Sequence, residues 1–129
     1  MEYVLKLTTN HTVEIIEKPE NVEYDWYADK IGCEWIEIVR PRYFNHKLIV
    51  DEEGRLKTNK MNIIASAMYG TFEHGEPIVG DVLVVEEGLV NDEPSIIGFT
   101  LHEANRIKNY IEDDMRKSIK FRKFINQNM

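Results

Sequence analysis

The chain has 129 residues and a mass of 15.2 kDa, the size of one domain. With 43% hydrophobic and 30% charged residues it reads as a folded globular chain, neither disordered nor membrane-spanning. Its net charge of −7 argues against a generic nucleic-acid coat or a binder of anionic membranes, and no stretch approaches the roughly 18 consecutive apolar residues of a membrane helix.

In chain order, Tyr3, Leu5 and Leu7 alternate with Val4 and Lys6, the period of a strand. The turn-prone Thr8–His11 follows, and Thr12 to Ile16 reads as the second strand of a hairpin that Pro19 ends. Tyr24, Tyr27, Ala28 and Ile31 fall at i, i+3, i+4 and i+7, which predicts a short helix with Gly32 as its left-handed C-cap. Trp35 to Val39, rich in aromatic and β-branched residues, predicts a central strand ending before Pro41.

Leu48 to Val50 predicts the next strand and Asp51 to Gly54 a turn, with Arg55 to Lys57 returning as a short antiparallel partner. Asn59 or Asn62 can cap a helix carrying Ile63, Ile64, Ala67 and Met68, which Gly70 stops. Gly70, Gly75, Pro77 and Gly80 predict a loop over residues 70–80. The apolar run Val82 to Val85 predicts a buried strand. Glu86 to Gly88 and Asn91 to Pro94 frame a connection, Ile96 to Phe99 an edge strand, and Thr100–Glu103 a capping box before a long C-terminal helix.

That helix poses a length problem. Leu101, Ala104, Ile107, Tyr110, Ile111, Met115 and Ile119 keep helical spacing. A continuous helix over residues 101–128 would be about 42 Å long, against a diameter of about 36 Å for a compact chain of this size. Either the helix breaks near Ser118 or its end projects and exposes Phe121, Phe124 and Ile125, which favours a partner or a homo-oligomer built through this helix.

Charge divides the chain at the same place. Residues 1–115 hold all 23 acidic residues and 11 of the 16 basic ones, so this body carries −12. Residues 116–129 carry +5 from Arg116, Lys117, Lys120, Arg122 and Lys123 with no acid. We read residues 1–115 as a single domain and 116–129 as the basic end of its last helix. Those cations, with Phe121 and Phe124 among them, can hold phosphates or an acidic protein face. They also suit a helix C-terminus, where basic side chains offset the macrodipole. Nucleic acid enters only through this tail.

Other candidate chemistry is thin. Cys33 is either a nucleophile near one of His11, His46, His74 and His102 or a small buried hydrophobe. Being the only cysteine, it forms no internal disulfide, which suits a reducing cytoplasm; the start MEYVLKL carries no secretory leader pattern. Glu73, His74 and Glu76 offer metal-ligand types without the spacing of a site, and no phosphate-loop motif occurs. Glu14, Glu17, Glu20, Glu23, Asp25 and Asp29 fall within sixteen residues and form either a solvated surface or an inhibitor face that mimics a phosphate backbone. No cofactor is expected.

Three segments together resemble a known family: Ile31 to Val39 (IGCEWIEIV), Leu48 to Leu56 (LIVDEEGRL), and Asn62 to Gly70 (NIIASAMYG) leading to Ile78 to Val85 (IVGDVLVV). Their order and spacing resemble the family catalogued as domain of unknown function 3846, found in bacteria, phages and mobile elements. The resemblance covers roughly residues 3–103 and departs at Thr58 to Met61, where members usually carry a Leu-Pro pair. It implies no activity and no catalytic set. It implies a phage or plasmid accessory context, with Gly32, Asp51, Gly54, Asn62, Gly70 and Gly80 as turn- and cap-shaping positions. The fold expected is α+β: a mixed or antiparallel sheet of five or six strands, two short helices and a long C-terminal helix. The function expected is non-catalytic binding of a host or phage protein, with sequestration of a phosphate-containing small ligand as the alternative.

Overall fold

The computed structural model describes residues 1–57 and 60–117. It is an α+β fold whose six strands are all paired antiparallel: β1 (Glu2–Leu7), β2 (Val13–Lys18), β3 (Ile36–Val39), β4 (Lys47–Asp51), β5 (Val82–Val90) and β6 (Glu93–Ile97). The spatial order is β2-β1-β5-β4-β3. Where β1 leaves β5, β6 takes over from Glu86 to Val90, and Phe99 bridges back to Tyr3. The helices are α1 (Tyr24–Ile31), α2 (Ile63–Tyr69), the single turn α3 (Thr71–His74) and α4 (Leu101–Lys117).

Side-chain alternation explains why the middle strands read as continuous apolar runs. Leu5, Leu48, Val82 and Val84 point to one face, where α2 and α4 cover them with Ile63, Ile64, Ala104, Ile107 and Ile111. Val4, Ile49, Leu83 and Val85 point to the other face, covered by Tyr27 and Ile31 of α1. A strand buried on both faces has no polar side to show. One cross-strand row, Ile15–Leu5–Val84–Leu48–Val39, ties five strands together on the α2/α4 face. Full burial of a Leu or Val side chain contributes about 1.5–3 kcal/mol, so this row is a principal source of sheet stability.

Local signals account for most boundaries. Gly32 (φ 71°) and Gly70 (φ 96°) are left-handed C-caps of α1 and α2. Asn62, not Asn59, caps α2: its Oδ1 accepts from the Ala65 amide at 3.0 Å. The capping box of α4 closes in both directions, Glu103 amide to Thr100 Oγ1 at 3.1 Å and Thr100 amide to Glu103 Oε1 at 3.0 Å. Those bonds hold the Glu103 carboxyl below its usual range.

Several expectations are corrected. β3 is an edge strand, not a central one, because only β4 pairs with it; its Ile36 and Ile38 are met by α1 and solvent. Arg55 to Lys57 is no strand: Gly54–Leu56 forms a 3₁₀ turn with Leu56 84% exposed. The Gly54 position faces Val79, whose Cγ2 would lie 2.6 Å from an added Cβ, so the turn packs closely only with glycine there. Residues 70–80 are not all loop. They contain α3, and Met61 pairs with Val79 in an isolated bridge. Glu86 to Gly88 continues β5, and the connection is a two-residue hairpin turn at Asn91 (φ 52°) and Asp92 (φ 64°), residue types that tolerate this primed geometry. The last strand therefore runs over Glu93–Ile97 and ends two residues before Phe99.

The β1–β2 turn carries a pH-sensitive group. His11 sits at φ 67° with Nδ1 buried and unbonded, and burial, then Lys60, pushes its imidazole below 6.5. The folded chain thus favours neutral His11, while the unfolded chain takes up a proton as pH falls through about 6.5. Stability from this residue is present above that pH and is lost below it. His11→Asn, which keeps a residue tolerant of positive φ, is expected to lose less Tm than the parent between pH 7.5 and 5.5; equal losses in thermal melts would contradict this.

Candidate functional site

The segment between β3 and β4 folds against α4 and α2 and leaves a groove. Pro41 is buried, the Tyr43 amide donates to the Met68 carbonyl of α2 at 2.9 Å, and Phe44 packs on the core. Tyr43 and Arg42 then turn outward. Arg42 pairs with Glu73 at 3.1 Å and lies 5.6 Å from the Tyr43 ring centroid, while the Tyr43 hydroxyl donates to Glu73. That bond to a carboxylate pushes the phenol above its usual range.

Across the groove stands α4, whose inward seam is Ala104, Ile107, Ile111 and Met115. Tyr110 belongs to the predicted inward stripe but is 61% exposed; with Arg106, four residues earlier, it forms the groove's far wall. The groove encloses about 400 Å³, lined by Tyr43, Phe44, Asn45, His46, Arg106, Ile107 and Tyr110. It continues along α4 into a shallower region of about 430 Å³ bordered by Asn109, Asp113 and Arg116.

His46 forms the floor. Its ring meets Phe44 and Phe99 edge-on at 5.2 and 5.0 Å, and Nδ1 lies 2.8 Å from Glu86 Oε2. Burial alone would raise the Glu86 carboxyl, but the bonds from His46 and the Glu87 amide, with Lys47 nearby, together hold it below its usual value. An ionised Glu86 fixes Nδ1 as the donor nitrogen, which leaves Nε2 to accept from a ligand in the neutral ring or donate to one in the cation. Among the described residues Arg106 forms no ion pair. The groove thus presents two half-exposed tyrosines, the Arg106 guanidinium, which also acts on Glu103, and an oriented imidazole.

The other candidates fall elsewhere. Cys33 is half-buried, and its Sγ donates to the Trp35 carbonyl at 3.5 Å. Burial, then Asp51, raises the thiol, so the reactive thiolate is disfavoured. The cavity beside it is lined by Asp29, Gly32, Glu34, Glu53 and Lys57, with no imidazole among them. Glu73 is engaged by Arg42 and Tyr43, and Glu76 lies 3.9 Å from Arg55; the His74 side chain lies outside the described residues. Among the described residues no group of three His, Cys, Asp or Glu is placed to hold a metal. The acidic run is exposed but divided: Glu14 and Glu17 point to opposite faces of β2, and Asp25 and Asp29 ride on α1.

In the basic tail, α4 continues through Arg116 and Lys117, and both contact Asp113, at 3.4 and 3.0 Å, so an acid of the body offsets the first two cations. Lys120, Phe121, Arg122, Lys123 and Phe124 lie outside the described residues. The six positions carrying the resemblance occupy turns and caps. Gly32 and Gly70 cap helices, and Asp51 accepts from the Glu53 amide at 2.9 Å and Lys57 at 2.8 Å. Gly54 opens the 3₁₀ turn, and Gly80 accepts from Asn62 at 2.9 Å.

Tyr43, Arg106 and Tyr110 were not legible as a site, because two distant segments build it. The available signal was Tyr110 itself, a polar-tipped residue at the border of the α4 apolar stripe.

The fold is a three-layer α+β domain, one antiparallel sheet with helices on both faces, with a groove beside its C-terminal helix. Residues 1–112 match the family described as Domain of unknown function (DUF3846), and the chain belongs to that family. The match takes in most of α4 and ends at Glu112, before the basic end. Neither the curated proteins nor the solved structures include a match to this chain. Among the described residues no helix is long and apolar enough to cross a membrane.

Proposed function

We propose that this chain is a non-catalytic binding protein, a phage- or plasmid-borne accessory that engages a host protein through the α4 groove. The observation that carries the reading is the pairing of Tyr43 (52% exposed) and Tyr110 around an Arg106 that has no ion-pair partner among the described residues. Tyr and Arg are the residue types on which binding energy concentrates when a partner covers them. Arg106 and Arg116 border the shallower continuation of the groove, where Asp113 offsets part of that charge.

The test compares capture of a host protein from lysate by the parent, by Arg106→Glu/Tyr110→Ala, and by Leu89→Ser on the exposed β5–β6 hairpin. Truncating a binding centre costs about 2 kcal/mol or more, so the groove variant is expected to bind at least about 30-fold more weakly while Leu89→Ser matches the parent. Unchanged capture by the groove variant would remove the groove from the reading. A chain ending at Met115 measures the tail separately; capture equal to the parent would remove the tail.

A second reading rests on His46. With Nδ1 held by Glu86, His46 and Arg106 both line the groove and suit a phosphate-bearing small ligand. It predicts a thermal shift with nucleotides that Arg106→Glu abolishes, and no shift would exclude it.

A further inference from the structure

The free edge of β3 is only partly closed, and how it is closed indicates what completes it. The Trp35 carbonyl accepts from the Glu52 amide at 2.9 Å, and Ile36, Glu37, Ile38 and Val39 pair with Asp51, Val50, Ile49 and Leu48. Backbone groups of a strand alternate in direction. Residues 35, 37 and 39 therefore turn their N–H and C=O groups toward β4, and residues 34, 36 and 38 turn theirs outward.

One side chain occupies the start of that outward row. The Tyr24 hydroxyl of α1 accepts from the Ile36 amide at 2.6 Å and donates to the Glu34 carbonyl at 3.2 Å, standing where a neighbouring strand would bond. Among the described residues nothing bonds the Ile36 carbonyl or either backbone group of Ile38, beside an Ile38 side chain 39% exposed. Open edges invite another strand.

The side chains select which strand. Trp35 (56% exposed) and Glu37 share one face by alternation, and Glu52 stands opposite Trp35 on the same face. Glu34, Glu37 and Glu52 are exposed, and none of them forms an ion pair among the described residues. The neighbouring cations are engaged elsewhere: Arg40 with Glu87 at 3.3 Å, Arg55 with Glu76 at 3.9 Å and Lys57 with Asp51 at 2.8 Å. A second copy pairing about Glu37 would set Glu37 against Glu37, a destabilising like-charge pair.

We infer that β3 is completed by an extended segment of a partner protein carrying a Lys or Arg at the position facing Glu37, its cation set between that carboxylate and the Trp35 ring. Ladder bonds to the Ile36 carbonyl and to both groups of Ile38 supply binding, and the acidic–aromatic pair supplies selectivity. This surface is separate from the α4 groove and does not depend on it.

The test uses the full chain and three acetylated six-residue peptides of alternating valine and threonine. One has a central lysine, one a central glutamate, and one the lysine with alternate backbone amides methylated. Two-dimensional NMR follows the Ile38 amide and the Trp35 indole. The lysine peptide is expected to shift both signals, slow Ile38 amide exchange and bind about fivefold more tightly than the glutamate peptide. Glu37→Lys is expected to reverse that preference, and Glu37→Gln, which adds no charge, to abolish it. Equal binding of the methylated peptide would overturn strand addition, and a preference insensitive to residue 37 would overturn the pairing with Glu37. Ile38 protection that grows with protein concentration without peptide would assign the edge to a second copy instead.

Discussion

Asn62→Ala is expected to destabilise the domain by about 3–4 kcal/mol, measured by chemical denaturation. Asn62 is fully buried and holds three elements at once. Its Oδ1 caps α2 through the Ala65 amide, while Nδ2 donates to the Leu7 carbonyl of β1 and to the Gly80 carbonyl before β5, both at 2.9 Å. Losing the cap costs about 1 kcal/mol, and each lost buried bond adds a similar or larger amount. Asn62→Asp separates the two roles. It keeps the capping oxygen but turns a second oxygen toward two carbonyls, so its carboxyl is pushed up in the folded state. A raised carboxyl means that the folded state binds the proton more tightly, so the variant should gain stability relative to the parent as pH falls toward 5 and lose it as pH rises. A loss below 1 kcal/mol in Asn62→Ala would show that capping alone is at stake.

Gly98→Ala is expected to cost about 3 kcal/mol, whereas Gly88→Ala stays within about 1 kcal/mol. An added Cβ at Gly98 would lie 2.6 Å from the Tyr3 carbonyl oxygen, a backbone atom. That oxygen accepts from the Phe99 amide at 2.7 Å, and the Tyr3 amide donates to the Phe99 carbonyl at 2.8 Å. Relieving the clash opens this seam, pulls on buried Phe99 and shifts Thr100, where the α4 capping box begins. At Gly88 the added atom meets only the tip of Ile97 at 2.8 Å, a side chain that can change rotamer. Similar melting temperatures for the two variants would contradict the seam's importance.

These positions show what a sequence can and cannot disclose. Asn62, Gly32, Gly70 and the Thr100–Glu103 box were readable because caps act within four residues of themselves. The alternation in β1 and the run in β5 were readable for the same local reason. Strand order was not. Trp35 to Val39 has the composition of a central strand, yet it lies at the edge because Tyr24 and α1 cover part of its exposed side. Glu86 to Gly88 reads as a turn because two acids and a glycine lack strand propensity, but pairing with Ile97, Ile96 and Ser95 keeps it in β5. The groove was least legible of all. Tyr43 and Tyr110 are 67 residues apart, and only the packing of α4 on the sheet brings them to one opening.

The position of β5 also governs how the protein can be made. β1 pairs with β2 and β3 with β4 through short connections, so two ribbons can form early in synthesis. No strand joins them until Val82 to Val85 leave the ribosome and insert between β1 and β4. Until then each ribbon carries an unpaired inner edge and an uncovered apolar face, the condition in which nascent chains misassociate. The last long strand is thus the keystone of the sheet, and the interval before it is laid down is the protein's period of greatest exposure to aggregation.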